Sequence, residues 1–276
     1  MFVGMDSGVE RPSWVPDGID ITVPNSARAY DYALGGYHNF AVDRDFLERL
    51  EQALPGLREA AWANRALLHR VVRWLVAQGV RQFLDIGSGI PTVGNVHEIA
   101  QEAAPESRVV YVDIDPVTIV HSKAILAGNP LAGALEGDLR RPADILHHPD
   151  VKKLLDFSKP VAIILFLVVH YVADDDEARA IMAQLRDALA SGSYIALTHT
   201  SPLPGFEDQM ENARKLFDET PTQTTFRSRE QIADLLAGLE LIEPGIVRTA
   251  EWRPDPGEEF DAKAGAISFV AVARKP

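Results

Sequence analysis

Cysteine is absent from the 276-residue chain, which excludes disulfide frameworks, thiolate zinc sites, iron–sulfur clusters and a cysteine nucleophile. Long hydrophobic runs are absent too. The longest unbroken aliphatic and aromatic stretch, VAIILFLVV at 161–169, falls far short of the ~20 residues a helix needs to span hydrocarbon, so no membrane partner is expected. The opening MFVGMDSGVERPSW lacks the basic segment and the apolar core of ~7–15 residues that mark a secretory signal, and the expected compartment is the cytoplasm. Basic residues are in deficit: 27 Lys and Arg stand against 40 Asp and Glu, for a net charge of −13. Binding a phosphate backbone relies on Lys and Arg displacing condensed counterions, so nucleic acid is disfavoured as a partner. Missing as well are G-x-x-x-x-G-K-[ST], H-E-x-x-H and G-x-S-x-G, the signatures of P-loop NTPases, zinc proteases and serine hydrolases. Ser88 follows Gly87 without the nucleophile-elbow pattern. The adjacent His147 and His148 cannot easily turn both rings to one ion, and no metal site is expected.

At ~100–200 residues per domain, the length admits one large domain or two small ones with a proper core. Residues 1–20, rich in Pro, Gly and charge, read as an irregular arm. TVPNSARAYDYALGGYHNF at 22–40 reads as a short helix capped by Asn25 or Ser26 and stopped by Gly35 and Gly36. Val42, Phe46, Leu47, Leu50 and Leu54 then recur at helical spacing as far as Pro55-Gly56. A longer helix follows, with Leu57, Ala61, Leu67, Leu68, Val71 and Leu75 on one side and Gly79 at its C′ position. From residue 81 strands alternate with helices: 82–86, 108–113, 131–137, 161–169 and 194–198 are apolar runs of strand length. That alternation marks βαβ units and a parallel sheet covered on both faces. Asp174 is placed to cap one intervening helix, and Ser228 with Gln231 forms a capping box for another. Residues 241–252 and 267–274 look extended with no helix between them, so a late strand is expected to join antiparallel. The expected organisation is an irregular arm and helical cap over 1–80 and an α/β domain over 81–276.

FLDIGSGIPT at 83–92 lies where the first strand meets its helix, the place at which open α/β sheets bind nucleotide-like ligands. Gly87 and Gly89 let the backbone turn sharply and approach a ligand, and Asp113 at the end of the second strand can accept from ribose hydroxyls. Two ligands compete for this geometry. A dinucleotide fingerprint requires glycine at position 92, where Thr92 stands, and Asp85 would repel a pyrophosphate by about a kcal/mol at intermediate dielectric. S-adenosylmethionine brings an ammonium and a sulfonium, for which Asp85 is favourable. The D-x-G-x-G order therefore favours the sulfonium cofactor over NAD. In EGDL at 136–139, Asp138 can accept from the adenine amine while Leu139 and Ile114 sandwich the ring. FLVVHY at 166–171 sets Phe166 and His170 at the carboxyl edge of the sheet, where the transferring methyl would sit.

On these residues the sequence resembles the class I S-adenosylmethionine-dependent methyltransferases. More narrowly, it is similar to the actinobacterial S-adenosyl methyltransferase family, long known as a domain of unknown function. SARAYDYALGGYHNF at 26–40, FLDIGSGIPT at 83–92, VYVDIDP at 110–116 and His170-Tyr171 carry the resemblance, which runs from about residue 17 to the end. It implies a Rossmann-like α/β fold with a seven-stranded, mostly parallel sheet of order 3-2-1-4-5-7-6, helices on both faces, and S-adenosyl-L-methionine as cofactor. It implies no particular substrate.

The expected function is methyl transfer to a small or medium-sized acceptor on N, O or C. Asp85 with Gly87, Ser88 and Gly89 is expected to hold the amino-acid moiety, Asp113 the ribose, and Asp138 with Ile114 and Leu139 the adenine. Tyr32 and Asn39 would close as a lid hinged at Gly35-Gly36; the alternative is a tightly turned helix pair with Tyr30 and Phe40 in its core and Asn39 as a helix cap. Arg65 could reach the cofactor carboxylate, although arginines on amphipathic helices are usually solvated. His170 is the candidate base, useful only if the nucleophile must lose a proton, or else a structural histidine bonded to Asp174. Two rivals stand beside this reading: a non-catalytic protein that binds S-adenosylmethionine or its homocysteine product to regulate a partner, and an NAD-dependent oxidoreductase. A homo-oligomer is left open.

Overall fold

The structure, a computed structural model, describes residues 15, 19–91, 94–257 and 267–276. Most of the arm expected over 1–20, Thr92 and the last three residues of the acidic stretch 253–260 lie outside these residues. Three helices precede the sheet: α1 (Ser26–Ala33), α2 (Ala41–Ala53) and α3 (Leu57–Ala77). Asn25 starts α1 by accepting the Ala27 and Arg28 N–H groups, which would otherwise have no partner at a helix N-terminus. Gly79 (φ +90°) ends α3 in the left-handed region, and the Val80 N–H returns to the Leu75 carbonyl at 3.1 Å.

Between α1 and α2 the chain turns tightly around two buried carboxylates. Asp31 accepts the His38 N–H and the Asn39 amide, each at 2.9 Å. Asp43 pairs with Arg28 at 2.9 Å, both side chains fully or almost fully buried, and also accepts the Asn25 and Phe40 N–H groups at 2.8 Å. A side chain at position 36 would stand 2.0 Å from the Asp31 carboxylate, so Gly36 is dictated by this packing.

The sheet strands and helices then alternate: β1 (Gln82–Ile86), α4 (Val96–Ala103), β2 (Arg108–Asp113), α5 (Pro116–Ile125), β3 (Ala132–Glu136), α6 (Pro142–His147), α7 (Pro149–Leu154), β4 (Ala162–Phe166), α8 (Asp175–Ala188) and β5 (Tyr194–Thr200). After β5 come α9 (Glu207–Phe217), α10 (Arg229–Leu235), β6 (Glu240–Leu241), β7 (Val247–Arg248) and β8 (Ser268–Arg274). The order across the sheet is β3-β2-β1-β4-β5-β8-β6, with β7 also on β8. The first five strands are parallel, and β8 runs antiparallel to β5.

The strand count is eight where seven were expected. The extended run anticipated over 241–252 is broken by a turn at Pro244-Gly245, where Gly245 has φ +86° and proline offers no N–H to the ladder. Its two remnants, β6 and β7, pair with successive stretches of β8, so the edge strand of the expected order is present in two pieces. The apolar run 161–169 likewise does not stay extended. It leaves the sheet after Phe166, Leu167 takes φ +51°, and Val169–Tyr171 forms a 3-10 turn.

Because side chains alternate across a strand, the central strands feed two cores. Leu84, Val110, Val112, Ile163 and Leu165 pack with α6, α8 and α10; Phe83, Val109, Tyr111 and Ile164 pack with α3 and α4. A third core lies apart from the sheet, formed by α1, α2, the start of α3, and α9 through Met210 and Ala213. It is the cap. Among the described residues no helix is long and apolar enough to cross a membrane.

Candidate active site

The carboxyl ends of β1, β2, β3 and β4 and the inner side of the cap enclose a cavity of about 660 Å³, a size typical of small-molecule sites (~300–1,000 Å³). Asp85, Gly87, Ser88, Gly89, Asp113, Ile114, Asp138, Leu139, Phe166 and His170 all line it. Ten positions chosen from sequence thus meet in one space, because the parallel order puts every one of those strand ends on the same edge of the sheet.

The glycine turn leaves β1 with Gly87 at φ +72° and Gly89 at φ +64°, values that favour glycine over any residue with a Cβ. At Gly87 a side chain would also strike Val168, 2.4 Å away, whereas at Gly89 it would meet nothing within 4 Å. The turn is pinned by Asp113, whose carboxylate accepts the Gly89 N–H at 2.8 Å and the Asp115 N–H at 2.9 Å. Burial nevertheless raises the Asp113 pKa to about 6.

Asp85 is 6% exposed, and its carboxylate makes no hydrogen bond among the described residues. Burial, opposed by the Arg65 charge and reinforced by Asp113, lifts its pKa to about 7. Ser88 Oγ is buried without a hydrogen-bond partner among the described residues. A buried carboxylate and a buried hydroxyl left unmatched beside the glycine turn, which is open at Gly89, call for a ligand that brings its own donors and positive charge. S-adenosylmethionine, with an ammonium, a sulfonium and ribose hydroxyls, fits this donor set; a pyrophosphate does not.

Asp138 presents a less open carboxylate. It accepts the Arg140 backbone N–H at 2.9 Å and Arg140 Nε at 3.0 Å. Burial pushes its pKa up, but the Arg140 hydrogen bonds and charge outweigh that and hold it below the ordinary value. Ile114, half exposed, and Leu139, buried, stand on the same wall.

His170 is 4% exposed, and its Nδ1 has no partner among the described residues. It is not bonded to Asp174, whose carboxylate is taken by the Glu177 N–H at 2.7 Å as the cap of α8. Burial above all, with smaller contributions from His199 and the Arg227 charge, lowers the His170 pKa well below its usual range and favours the neutral imidazole. His199 has both ring nitrogens committed: Nδ1 donates to the Thr200 carbonyl at 2.6 Å, and Nε2 accepts from Arg227 at 3.0 Å. Arg227 also donates from Nε to Asp175 at 2.8 Å, and its two Nη groups hold the Val169 and Val172 carbonyls on either side of His170.

Two expected lid residues do not reach the cavity. Tyr32 donates to Glu48 at 3.2 Å on the outside of the cap, and Asn39 is consumed in bracing Asp31 and the Gly36 carbonyl. The tightly turned pair of helices is what forms, although Phe40 rather than Asn39 sits at the α2 N-cap. Conversely, Arg65 is half-buried in the cavity wall rather than solvated. Sequence reasoning overlooked Tyr30 and Asn64 as wall residues and α9 as part of the cap. The helical spacing of Met210, Ala213 and Phe217 was the available signal.

A family model described as S-adenosyl methyltransferase matches residues 12–276. Among solved structures, a protein of Thermobifida fusca YX assigned as a methyltransferase is 41% identical, with 96% of this chain and 99% of that chain covered and a TM-score of 0.89. A DUF574 family protein from Streptomyces avermitilis MA-4680 is 37% identical, with 92% of this chain and 98% of that chain covered and a TM-score of 0.86. No curated protein matches. With a family match over nearly the whole length, two close structural likenesses and a cavity suited to the cofactor, the chain belongs to the S-adenosyl methyltransferase family and is an S-adenosylmethionine-dependent methyltransferase.

Proposed function

We propose that this enzyme works in the cytoplasm on a small or medium-sized acceptor, and that the residues lining the strand-end side of the cavity hold the cofactor. The observation that carries the assignment is Asp85: a buried carboxylate without a hydrogen-bonding partner among the described residues, beside the Gly87–Gly89 turn and on the same cavity as Asp113. In this reading Asp85 and the turn, with Ser88, receive the amino-acid moiety, and Asp113 uses its remaining lone pairs for ribose hydroxyls. Ile114 and Leu139 flank the adenine, and Asp138 accepts from its amine. Phe166 and His170 border the reacting end.

S-adenosylmethionine, when bound, supplies an electrophilic methyl group on a sulfonium. The protein contributes positioning and exclusion of water, which dominate when the reaction is a simple displacement. His170, held neutral by burial, can accept a hydrogen bond or a proton from an acceptor that loses one.

Calorimetric titration with S-adenosylhomocysteine and NAD in parallel tests the reading. The homocysteine product is expected to bind and NAD to fail, because NAD would place a pyrophosphate against Asp85. The Asp113→Ala variant is expected to bind the product at least tenfold more weakly while keeping a cooperative unfolding transition. Unchanged affinity in that variant would remove Asp113 from the ribose.

A further inference from the structure

The cap side of the cavity differs in chemistry from the strand-end side. Phe46, Leu47, Leu50, Leu54, Leu57 and Phe217 line it, all belonging to or packing against the cap's own core. Helices α1, α2 and α9 contribute no Lys, Arg, Asp or Glu to the lining among the described residues. Apart from Arg65 on α3 and Glu177 in the first turn of α8, the charged lining groups stand at strand ends and in the loops after them. An acceptor with a charged body would therefore lose its hydration against a wall that returns no counter-charge.

Besides Asp85, two polar residues on this cavity are more than nine-tenths buried and keep an unmatched atom. Asn64 is one. Its amide nitrogen donates to the Tyr30 hydroxyl at 3.1 Å, and that hydroxyl donates onward to the Ala61 carbonyl at 3.2 Å. The order of donors fixes the amide orientation and leaves Asn64 Oδ1 as a buried acceptor with no donor among the described residues. His170 Nδ1 is the other. Native interiors rarely leave such atoms unmatched, and here both residues line the cavity.

We propose that the methyl acceptor is an uncharged molecule of the phenol or alcohol class, with a mainly apolar, ring-containing body. The body lies against the Phe46, Leu50, Leu54 and Phe217 wall, and a hydroxyl donates to Asn64 Oδ1. An amine is disfavoured because its ammonium form would meet no carboxylate on the cap side. This inference rests on the methyltransferase reading of the same cavity.

The test uses the full chain saturated with S-adenosylhomocysteine and four probes read by calorimetry: 1-naphthol, naphthalene, 1-naphthoate and 1-naphthylmethylammonium. The expected result is that 1-naphthol binds at least tenfold more tightly than either charged probe and more tightly than naphthalene. In Asn64→Leu the advantage of 1-naphthol over naphthalene should disappear, while the affinity for S-adenosylhomocysteine is retained. Tighter binding of either charged probe, or product binding with no binding of the neutral probes, overturns the acceptor class and leaves the cofactor reading intact. Failure of S-adenosylhomocysteine itself to bind overturns both. The ranking of probes in the unaltered protein decides the charge question whether or not the variant folds.

Discussion

Asp85 is a residue whose burial conflicts with its charge. Its pKa of about 7 in the folded chain lies above the unfolded value near 3.8, so the fold favours the protonated form. The resulting contribution to stability is complete below about 4 and is lost as pH rises through about 7. A ligand ammonium beside the carboxylate would reverse the preference and draw the pKa back down. Binding of S-adenosylhomocysteine near pH 7 is therefore expected to release a fraction of a proton, measurable as a binding enthalpy that changes with the ionisation heat of the buffer. Asp85→Asn should abolish that dependence, weaken binding, and raise the Tm of the unliganded protein above pH 7 by ~2–4 °C for each kcal/mol recovered. The place of Asp85 on the cavity was legible from sequence, because a carboxylate two positions before a Gly-x-Gly turn stands at the carboxyl end of its strand. Tyr32 and Asn39 were misplaced for the opposite reason: an aromatic or amide in a helix–turn–helix segment can face either way, and the buried Asp31 that claims Asn39 is invisible until the turn is built.

At the scale of elements, the α1–α2 pair depends on Asp43. Its carboxylate answers Arg28 and two backbone N–H groups at once, and burial still pushes its pKa up against their opposing effect. Removing one partner of a buried ion pair strands the other, at a cost of ~3–5 kcal/mol. Asp43→Ala is expected to lower the denaturation free energy by that amount; a loss below 1 kcal/mol in urea titration would show that Arg28 finds another partner. The parallel strands, their glycine turn and the caps at Asn25, Asp174 and Ser228 could be read from sequence because each is a local pattern with a local cause. The split of the edge strand at Pro244-Gly245 could have been read too, but the apolar run on both sides masked it. Helix α9 could not be placed, because its partner is α2, far away in the chain.

The whole molecule combines two differently built walls around one cavity. Polar strand ends face an apolar cap, so a ligand that touches both links the cap's core to the sheet. Saturation with S-adenosylhomocysteine at ~100 times its Kd should add ~2.7 kcal/mol of stability and raise Tm by ~5–10 °C, as a scanning calorimeter would detect. A Tm independent of ligand concentration would exclude binding to the native state. The net charge of −13 takes on a local meaning at this scale, since Asp85, Asp113 and Asp138 stand on one wall and no acidic side chain of α1, α2 or α9 lines the other.

The cap is assembled from the two ends of a long separation in sequence. Phe46 of α2 meets Phe217 of α9 edge-on with ring centres 5.4 Å apart, and Arg49 bonds Glu219 with both arms of its guanidinium. During synthesis from the N-terminus, β1 to β4 with the glycine turn can therefore form before α9 exists. A ribosome-bound chain would present the cofactor's side of the site first, and the acceptor's wall would be closed only when the segment after β5 arrives.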